Sequence, residues 1–264
     1  MIDGEAEEVD ENWMAGRSST SSSMDRLKDL LGDRPLKGIF TALGLPDKLG
    51  EKIGGAVIDT LDLTDCFWLM DLPEGLSRLI NMRHLCLHLD WDRVTAFRSM
   101  PRGIDKLQSL QTLSRFVTVS KDGGTCNISE LKSLKIRGEL CILNLEAATG
   151  SAAREANLSG KEYLHKLMLK WSDNTYNDDN QLDLENSERV LEALCPHTSL
   201  KHLRIDNYPG RKLPSWVDRL LSLESLEIVS CPRLTQFSVE TLRSLRSFRI
   251  DQCADLASTS QRLI

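Results

Sequence analysis

A short strand pattern, L-x-x-L-x-L, recurs along this chain and limits its fold more than any other feature. Ile58, Leu61 and Leu63 fit it, as do Met82, Leu85 and Leu87. So do Leu200, Leu203 and Ile205; Leu223, Leu226 and Ile228; and Leu245, Phe248 and Ile250. Weaker copies centre on Leu113, Leu140 and Leu167. The centres fall at 61, 85, 113, 140, 167, 203, 226 and 248, in steps of 24, 28, 27, 27, 36, 23 and 22 residues. A strand this short alternates its side chains between two faces, and a single copy has nothing against which to bury its leucines. A fixed period lets each copy bury them against the next. One step, of 36 residues, is too long and needs its own account.

Two further registers accompany the strands. Cys66, Cys231 and Cys253 each stand three residues after the last apolar strand position, at Leu63, Ile228 and Ile250. Pro73, Pro101 and Pro214 each stand six residues before a leucine (Leu79, Leu107, Leu220), and those leucines precede the next strand centre by six. The stretch LKHLRIDNYPGRKLPSW, Leu200 to Trp216, holds the whole unit: a strand, a sharp turn and a proline-led return. A period of about 20–29 residues with an Asn or Cys after the strand is the signature of a leucine-rich repeat. The expected fold is an α/β repeat: a leucine-rich repeat solenoid with a concave parallel β-sheet and a mostly irregular convex side. About eight irregular repeats are expected, by that spacing.

The ordered strings LPEGLSRLINMRHLCL, MPRGIDKLQSLQTLSRF, ISELKSLKIRGELCILNLE, ANLSGKEYLHKLMLKWS, VLEALCPHTSLKHLRIDNYPGRKLPSW and LLSLESLEIVSCPRL follow one another between residues 72 and 234, within a likeness that covers roughly residues 58 to 256. They resemble the leucine-rich repeat region of plant disease-resistance proteins of the coiled-coil, nucleotide-binding (NBS-LRR) class. The resemblance implies a protein-recognition module in plant defense, taking as partner a pathogen effector, a guarded host protein or the nucleotide-binding domain of a resistance protein. Such proteins carry a phosphate-cradling loop, G-x-x-x-x-G-K-[ST]. No such string stands in this sequence, since Gly160-Lys161 is followed by Glu162 and has no glycine five residues earlier. No cofactor is therefore expected, and the chain reads as the recognition region apart from the nucleotide switch. A substrate-recognition adaptor of a ubiquitin ligase is the alternative, for which the first 57 residues look poor in helix.

The charge pattern adds exclusions. Of 39 acidic residues, six (Asp3, Glu5, Glu7, Glu8, Asp10 and Glu11) precede the first base, Arg17, so the rest balance the 33 lysines and arginines. A neutral repeat body gives no bulk attraction for nucleic acid or anionic membrane. Seven cysteines with no C-x-x-C spacing suggest neither a disulfide framework nor a zinc ribbon. No apolar run of about 18 residues offers a membrane span, and the acidic start lacks a secretory signal's apolar segment. A cytoplasmic, reducing compartment is expected.

Three segments follow from composition. Residues 1–23, acidic and serine-rich, are expected to be a disordered tail. Residues 24–57 are expected to cap or link, with MDRLKDLL as a short helix, and residues 58–264 form the repeat domain. The polar stretch Ser172 to Glu188 explains the long step and is expected to loop out from the strand edge. Its acids lack the order and glycine of a calcium loop.

No catalytic or metal site is expected. His84, Cys86 and His88 share one strand face, but alternate residues lie roughly 6.6–6.8 Å apart in a line, which does not converge on one ion. The repeat cysteines are expected to turn inward and donate weakly to backbone carbonyls. Trp216, in the returning segment, is expected to pack on the convex side. Partner contacts are expected from the outward strand positions: Thr112 and Ser114; Lys166, Met168 and Lys170; His202, Arg204 and Asp206; Ser225 and Glu227; Ser247, Arg249 and Asp251.

Overall fold

A computed structural model describes residues 59–64, 69, 71–72, 74–87, 97–119, 126–172, 181–235 and 241–259. The expectations for the tail (1–23), for the cap or linker (24–57), and for Cys66 and His88 lie outside those residues. The strands are β1 (Thr60–Leu63), β2 (His84–Leu87), β3 (Thr112–Leu113), β4 (Arg115–Val117), β5 (Gly138–Leu143), β6 (Leu164–Lys170), β7 (His202–Asp206), β8 (Ser225–Val229) and β9 (Ser247–Asp251). Every pairing between neighbours is parallel, in the orders β1-β2-β3 and β4-β5-β6-β7-β8-β9.

The register follows the sequence period. Leu61 pairs with Leu85, Leu85 with Leu113, Leu140 with Leu167, Leu167 with Leu203, Leu203 with Leu226 and Leu226 with Phe248. Stacked in this way, Leu85, Leu113, Leu140, Leu167 and Leu226 are fully buried. Six of the seven steps between strand centres are thus backbone registers. The seventh, from Leu113 to Leu140, slips by one residue, because Arg115 rather than Ser114 lies opposite Cys141. Ser114 is the extra residue. Its hydroxyl accepts from Leu87 N at 2.7 Å and donates to Leu87 O at 2.9 Å, while its own carbonyl accepts from Cys141 N. The side chain therefore replaces the missing ladder bonds across the break between β3 and β4. A one-residue slip exchanges the two faces of a strand, so Leu113 and Phe116, three apart, both reach the core.

Strands end in a shared device. Asn144, Asn207, Ser230 and Gln252, each directly after a strand, sit at φ between 52 and 57. This left-handed conformation is most tolerable for asparagine among non-glycine residues. It turns the next side chain (Leu145, Tyr208, Cys231, Cys253) into the core. In the NYPG turn, Asn207 donates from Nδ2 to Trp171 O at 3.2 Å. Tyr208 tilts against Trp171 with ring centroids 5.0 Å apart and donates its hydroxyl to Lys212 O. A Cβ at position 210 would collide with that hydroxyl, so the turn needs Gly210.

The return side is mainly single 3-10 turns, such as Ile104–Lys106 after Pro101 and Val217–Arg219 after Pro214. Leu107 and Leu220, six residues beyond those prolines, are buried. Regular helix appears as α1 (Gly150–Glu155), α2 (Gln181–Ala193) and α3 (Ala254–Thr259). Helix α2 corrects the expectation that Ser172 to Glu188 loops away, since from Gln181 onward the long step is helical. Ser187, Val190, Leu191 and Leu194 fall on one buried stripe at i, i+3, i+4 and i+7. That apolar spacing lay hidden under a polar composition. The helix is clamped by Asn186 Nδ2 donating to Ala148 O (2.9 Å) and by buried Trp216 Nε1 donating to Leu191 O (3.0 Å). Gly150 admits it closely, because a Cβ there would meet Arg189 Cβ at 3.2 Å.

One lysine is built into this side. Lys161 is 4% exposed, and its Nζ donates to Leu131 O (2.8 Å) and Leu134 O (2.7 Å) at the end of the 3-10 turn Ile128–Ser133. Burial lowers its pKa from 10.5 to about 8. Between those values the unfolded chain holds more protons than the folded one, so stability contributed by this group rises with pH through that window. Urea unfolding of wild type and Lys161→Met should show the wild type gaining on the variant, by on the order of 1–3 kcal/mol, between about pH 8 and 10.5. A difference independent of pH would mean that the ammonium is not desolvated.

The two faces of β8 give a second test. Leu226 and Ile228 are fully buried, whereas Ser225 and Glu227 are partly exposed. Leu226→Ala should cost about 2–5 kcal/mol, as for leucines removed from packed cores. Glu227→Ala should cost under about 1 kcal/mol, the range of partly exposed ion pairs. Denaturant midpoints compare the two, and the reverse order would contradict the register.

Candidate functional site: the outward face of the sheet

The register that buries the leucines also aligns what points away from them. One outward row runs Glu139, Lys166, His202, Ser225, Ser247, and a second runs Arg115, Cys141, Met168, Arg204, Glu227, Arg249. A third joins Lys170, Asp206, Val229 and Asp251. The expected contact residues from β6 to β9 therefore do lie side by side. They differ sharply in accessibility.

The middle of the face is closed. Met168 is 1% exposed and Asp206 3%, and Arg115, Cys141 and Arg204 are also buried. Cys141 Sγ donates to Met168 Sδ at 3.5 Å, and burial pushes the thiol up to about 11, so it remains protonated. Asp206 Oδ2 accepts from Arg204 Nη2 at 3.3 Å and faces Lys170 Nζ at 3.5 Å. Arg204 Nη1 in turn lies 3.6 Å from Glu227 Oε2. Neighbouring strands stand about 4.8 Å apart, so long side chains aligned across them cover one another. Outward direction is set by alternation. Exposure depends on what packs around each side chain, these neighbours included.

The accessible residues surround that centre. Lys166 pairs with Glu139 at 3.3 Å with both side chains about two-fifths exposed, and Arg249 pairs with Asp251 at 2.9 Å with both more exposed still. Ser247 is exposed, while Thr112, Lys170, His202, Ser225 and Glu227 are half-buried. Thr112 Oγ1 bonds His84 Nδ1 at 2.9 Å. Ser114 departs from the outward expectation: it lies at the one-residue slip, is buried, and has its hydroxyl bonded to the Leu87 backbone. Met168, Arg204 and Asp206 likewise form the floor of the face rather than its accessible surface.

Position-based reasoning missed the residues at the strand starts. Arg137 and Tyr163, on adjacent strands just ahead of β5 and β6, stack with the guanidinium carbon 4.6 Å from the ring centroid, and Tyr163 is 50% exposed. Lys201 and Glu224, just ahead of β7 and β8, form a pair at 3.2 Å. The signal was available, since each stands directly before the first strand residue.

The cysteine expectation is met at Cys231 and Cys253. Cys231 Sγ donates to Val229 O (3.3 Å) and Ile205 O (3.8 Å), and Cys253 Sγ to Asp251 O (3.3 Å) and Ile228 O (3.7 Å). Cys86 is half-buried, and burial followed by the Asp62 carboxylate raises its pKa, the opposite of an activated nucleophile. Among the described residues no three His, Cys, Asp or Glu side chains are placed to share a metal ion, and no helix is long and apolar enough to cross a membrane.

Parallel short strands at this period, leucines stacked within and polar rows without, define a leucine-rich repeat domain. Residues 128–253 match the family of R13L1/DRL21 leucine-rich repeats. The repeats are similar to those of plant disease resistance proteins. Putative disease resistance protein RGA4 of Solanum bulbocastanum is 36% identical over 175 residues, covering 65% of this chain and 16% of that protein. Putative disease resistance protein RGA1 of the same species is 36% identical over 140 residues, covering 50% of this chain and 13% of the relative. Putative disease resistance RPP13-like protein 1 of Arabidopsis thaliana is 37% identical over 126 residues, covering 46% and 11%. The chain thus spans a small part, 11% to 16%, of the length of these relatives.

The closed centre of the face predicts an asymmetry between stability and accessibility. Asp206→Ala removes a buried carboxylate that pairs with Arg204 and Lys170 and should cost about 3 kcal/mol. Lys166→Ala, removing a partly exposed partner of Glu139, should cost under about 1 kcal/mol. Urea unfolding of both variants is the check, and equal costs would show that water reaches Asp206 freely.

Proposed function

We propose that this chain is a protein-recognition module in plant defense. Its outward sheet face engages a pathogen effector or a guarded host protein, or restrains the nucleotide-binding domain of a resistance protein, within the cytoplasm. The observation that carries this reading is the continuous register from Glu139 of β5 through β9, which sets accessible side chains of both signs around a buried floor. Backbone pairing fixes those side chains before any partner arrives, which lowers the ordering cost of association. Similarity to disease resistance proteins supplies the biological setting. The role is binding, with no reaction chemistry, since the face presents paired charges rather than an activated nucleophile in a dry pocket.

Charge reversal at two accessible positions tests it. Lys166→Glu with Arg249→Glu should leave the circular dichroism spectrum and urea midpoint nearly unchanged. In pulldowns from plant tissue, recovery of partners held by the wild type should fall at least about tenfold, because reversing two rim charges replaces attraction by like-charge repulsion. Unchanged recovery, together with loss on altering exposed Arg154 of the return side, would move the binding surface to the other face.

A further inference from the structure

The last two complete turns of the solenoid place two cysteines in matching surroundings. Val229 and Asp251 are register partners on β8 and β9, and Cys231 and Cys253 each follow them by two residues. Between partner and cysteine, each chain makes the same left-handed step, at Ser230 (φ 52) and Gln252 (φ 53). The two steps are bonded to each other, with Ser230 N donating to Asp251 O at 2.8 Å and Ser230 Oγ to Gln252 Oε1 at 2.8 Å. Identical backbone paths on neighbouring parallel strands keep equivalent residues about 4.8 Å apart. That spacing lies within the Cα separation of about 4.4–6.8 Å that a disulfide requires. Each thiol donates to the equivalent backbone carbonyls, Cys231 to Val229 O and Ile205 O, Cys253 to Asp251 O and Ile228 O, so the two side chains take matching directions.

We propose that Cys231 and Cys253 form a dithiol that closes to an inter-repeat disulfide, a covalent staple between the last two strands. Cys253, at the rim with 6% exposure, is the attacking thiol, and Cys231, fully buried, resolves. The neighbouring Cys231 thiol, the largest influence, draws the Cys253 pKa down to about 7, while the Cys253 thiol and burial raise Cys231. The oxidant is a hydroperoxide. The Cys253 thiolate attacks its distal oxygen, the O–O bond breaks, and a sulfenic acid forms with release of water or an alcohol. The Cys231 sulfur then attacks the Cys253 sulfur, the S–O bond breaks, and the thiol proton leaves with the hydroxyl as water. Two thiols are oxidised and one peroxide is reduced. By contrast, Cys141 is held protonated, and Cys86 and Cys195 have pKa values raised first by burial.

The test uses the full reduced chain and hydrogen peroxide. After limited oxidation, free thiols are blocked with N-ethylmaleimide under denaturing conditions and digested peptides are mapped by mass spectrometry. The Cys231–Cys253 cross-linked peptide should exceed every other cysteine pair at least about tenfold, with a loss of about 2 Da reversed by dithiothreitol. Oxidation should raise the melting temperature of the wild type, and of Cys86→Ser, but not of Cys253→Ser. The same oxidation in concentrated urea should lose this selectivity. Both cysteines remaining alkylatable while others oxidise, pairing of either with another cysteine as often, or equal selectivity in urea would each overturn the proposal.

Discussion

Parallel pairing between neighbouring repeats is the constraint on which the rest of this structure depends. A strand of two to seven residues here has no hairpin partner of its own, so its backbone groups and leucines are satisfied only by the strands before and after it. The Leu61, Leu85, Leu113 stack and the Leu140, Leu167, Leu203, Leu226 stack are consequences. So is the difference at β9, which pairs only with β8 among the described residues. There Phe248 and Ile250 are each 40% exposed, whereas Leu226 and Ile228 one strand earlier are fully buried. Burial in this architecture is a property of having neighbours on both sides, not of the residue.

The same pairing gives the outward face its character. Alternation delivers polar and charged side chains to one side, and register brings them to within ion-pair distance across strands. Arg204, Asp206, Lys170 and Glu227 then form a chain of partners whose centre is buried. Removing such charges from water is costly, and their mutual attraction largely offsets that cost rather than adding net stability. Their physical effect is to fix geometry, since each side chain is held in place by a neighbour of opposite sign. A surface with a rigid centre and accessible rim charges suits selective protein contact, where unmatched charge penalises the wrong partner.

The departures from regularity have local physical causes. At the β3–β4 break, a serine hydroxyl stands in for backbone ladder groups and lets the chain slip by one residue without leaving Leu87 unpaired. In the long step, a helix replaces the usual 3-10 turn and is received by Gly150, Asn186 and Trp216. The helix takes up the extra length of the long step on the return side, whereas the serine takes up the extra residue within the sheet itself. Repeat proteins tolerate unequal repeats where, as with the helix, length differences collect on the side opposite the sheet.

The sequence by itself determined the architecture, because the L-x-x-L-x-L spacing is a direct record of which residues face the shared core. It placed six of the seven register steps, the inward cysteines at 231 and 253 and the Pro214 return. Ser114 escaped it, since a one-residue slip leaves no mark when Leu113 and Phe116 are both apolar. Helix α2 escaped because a stretch rich in Asp, Asn and Glu masks the spacing of Val190, Leu191 and Leu194. Only the tertiary structure decided which outward residues are accessible. Met168, Arg204 and Asp206 obey the same alternation as Lys166, Ser247 and Arg249, yet the former are buried and the latter are not. Alternation is local and is written in the chain, whereas exposure depends on what residues 23 to 36 positions away place alongside.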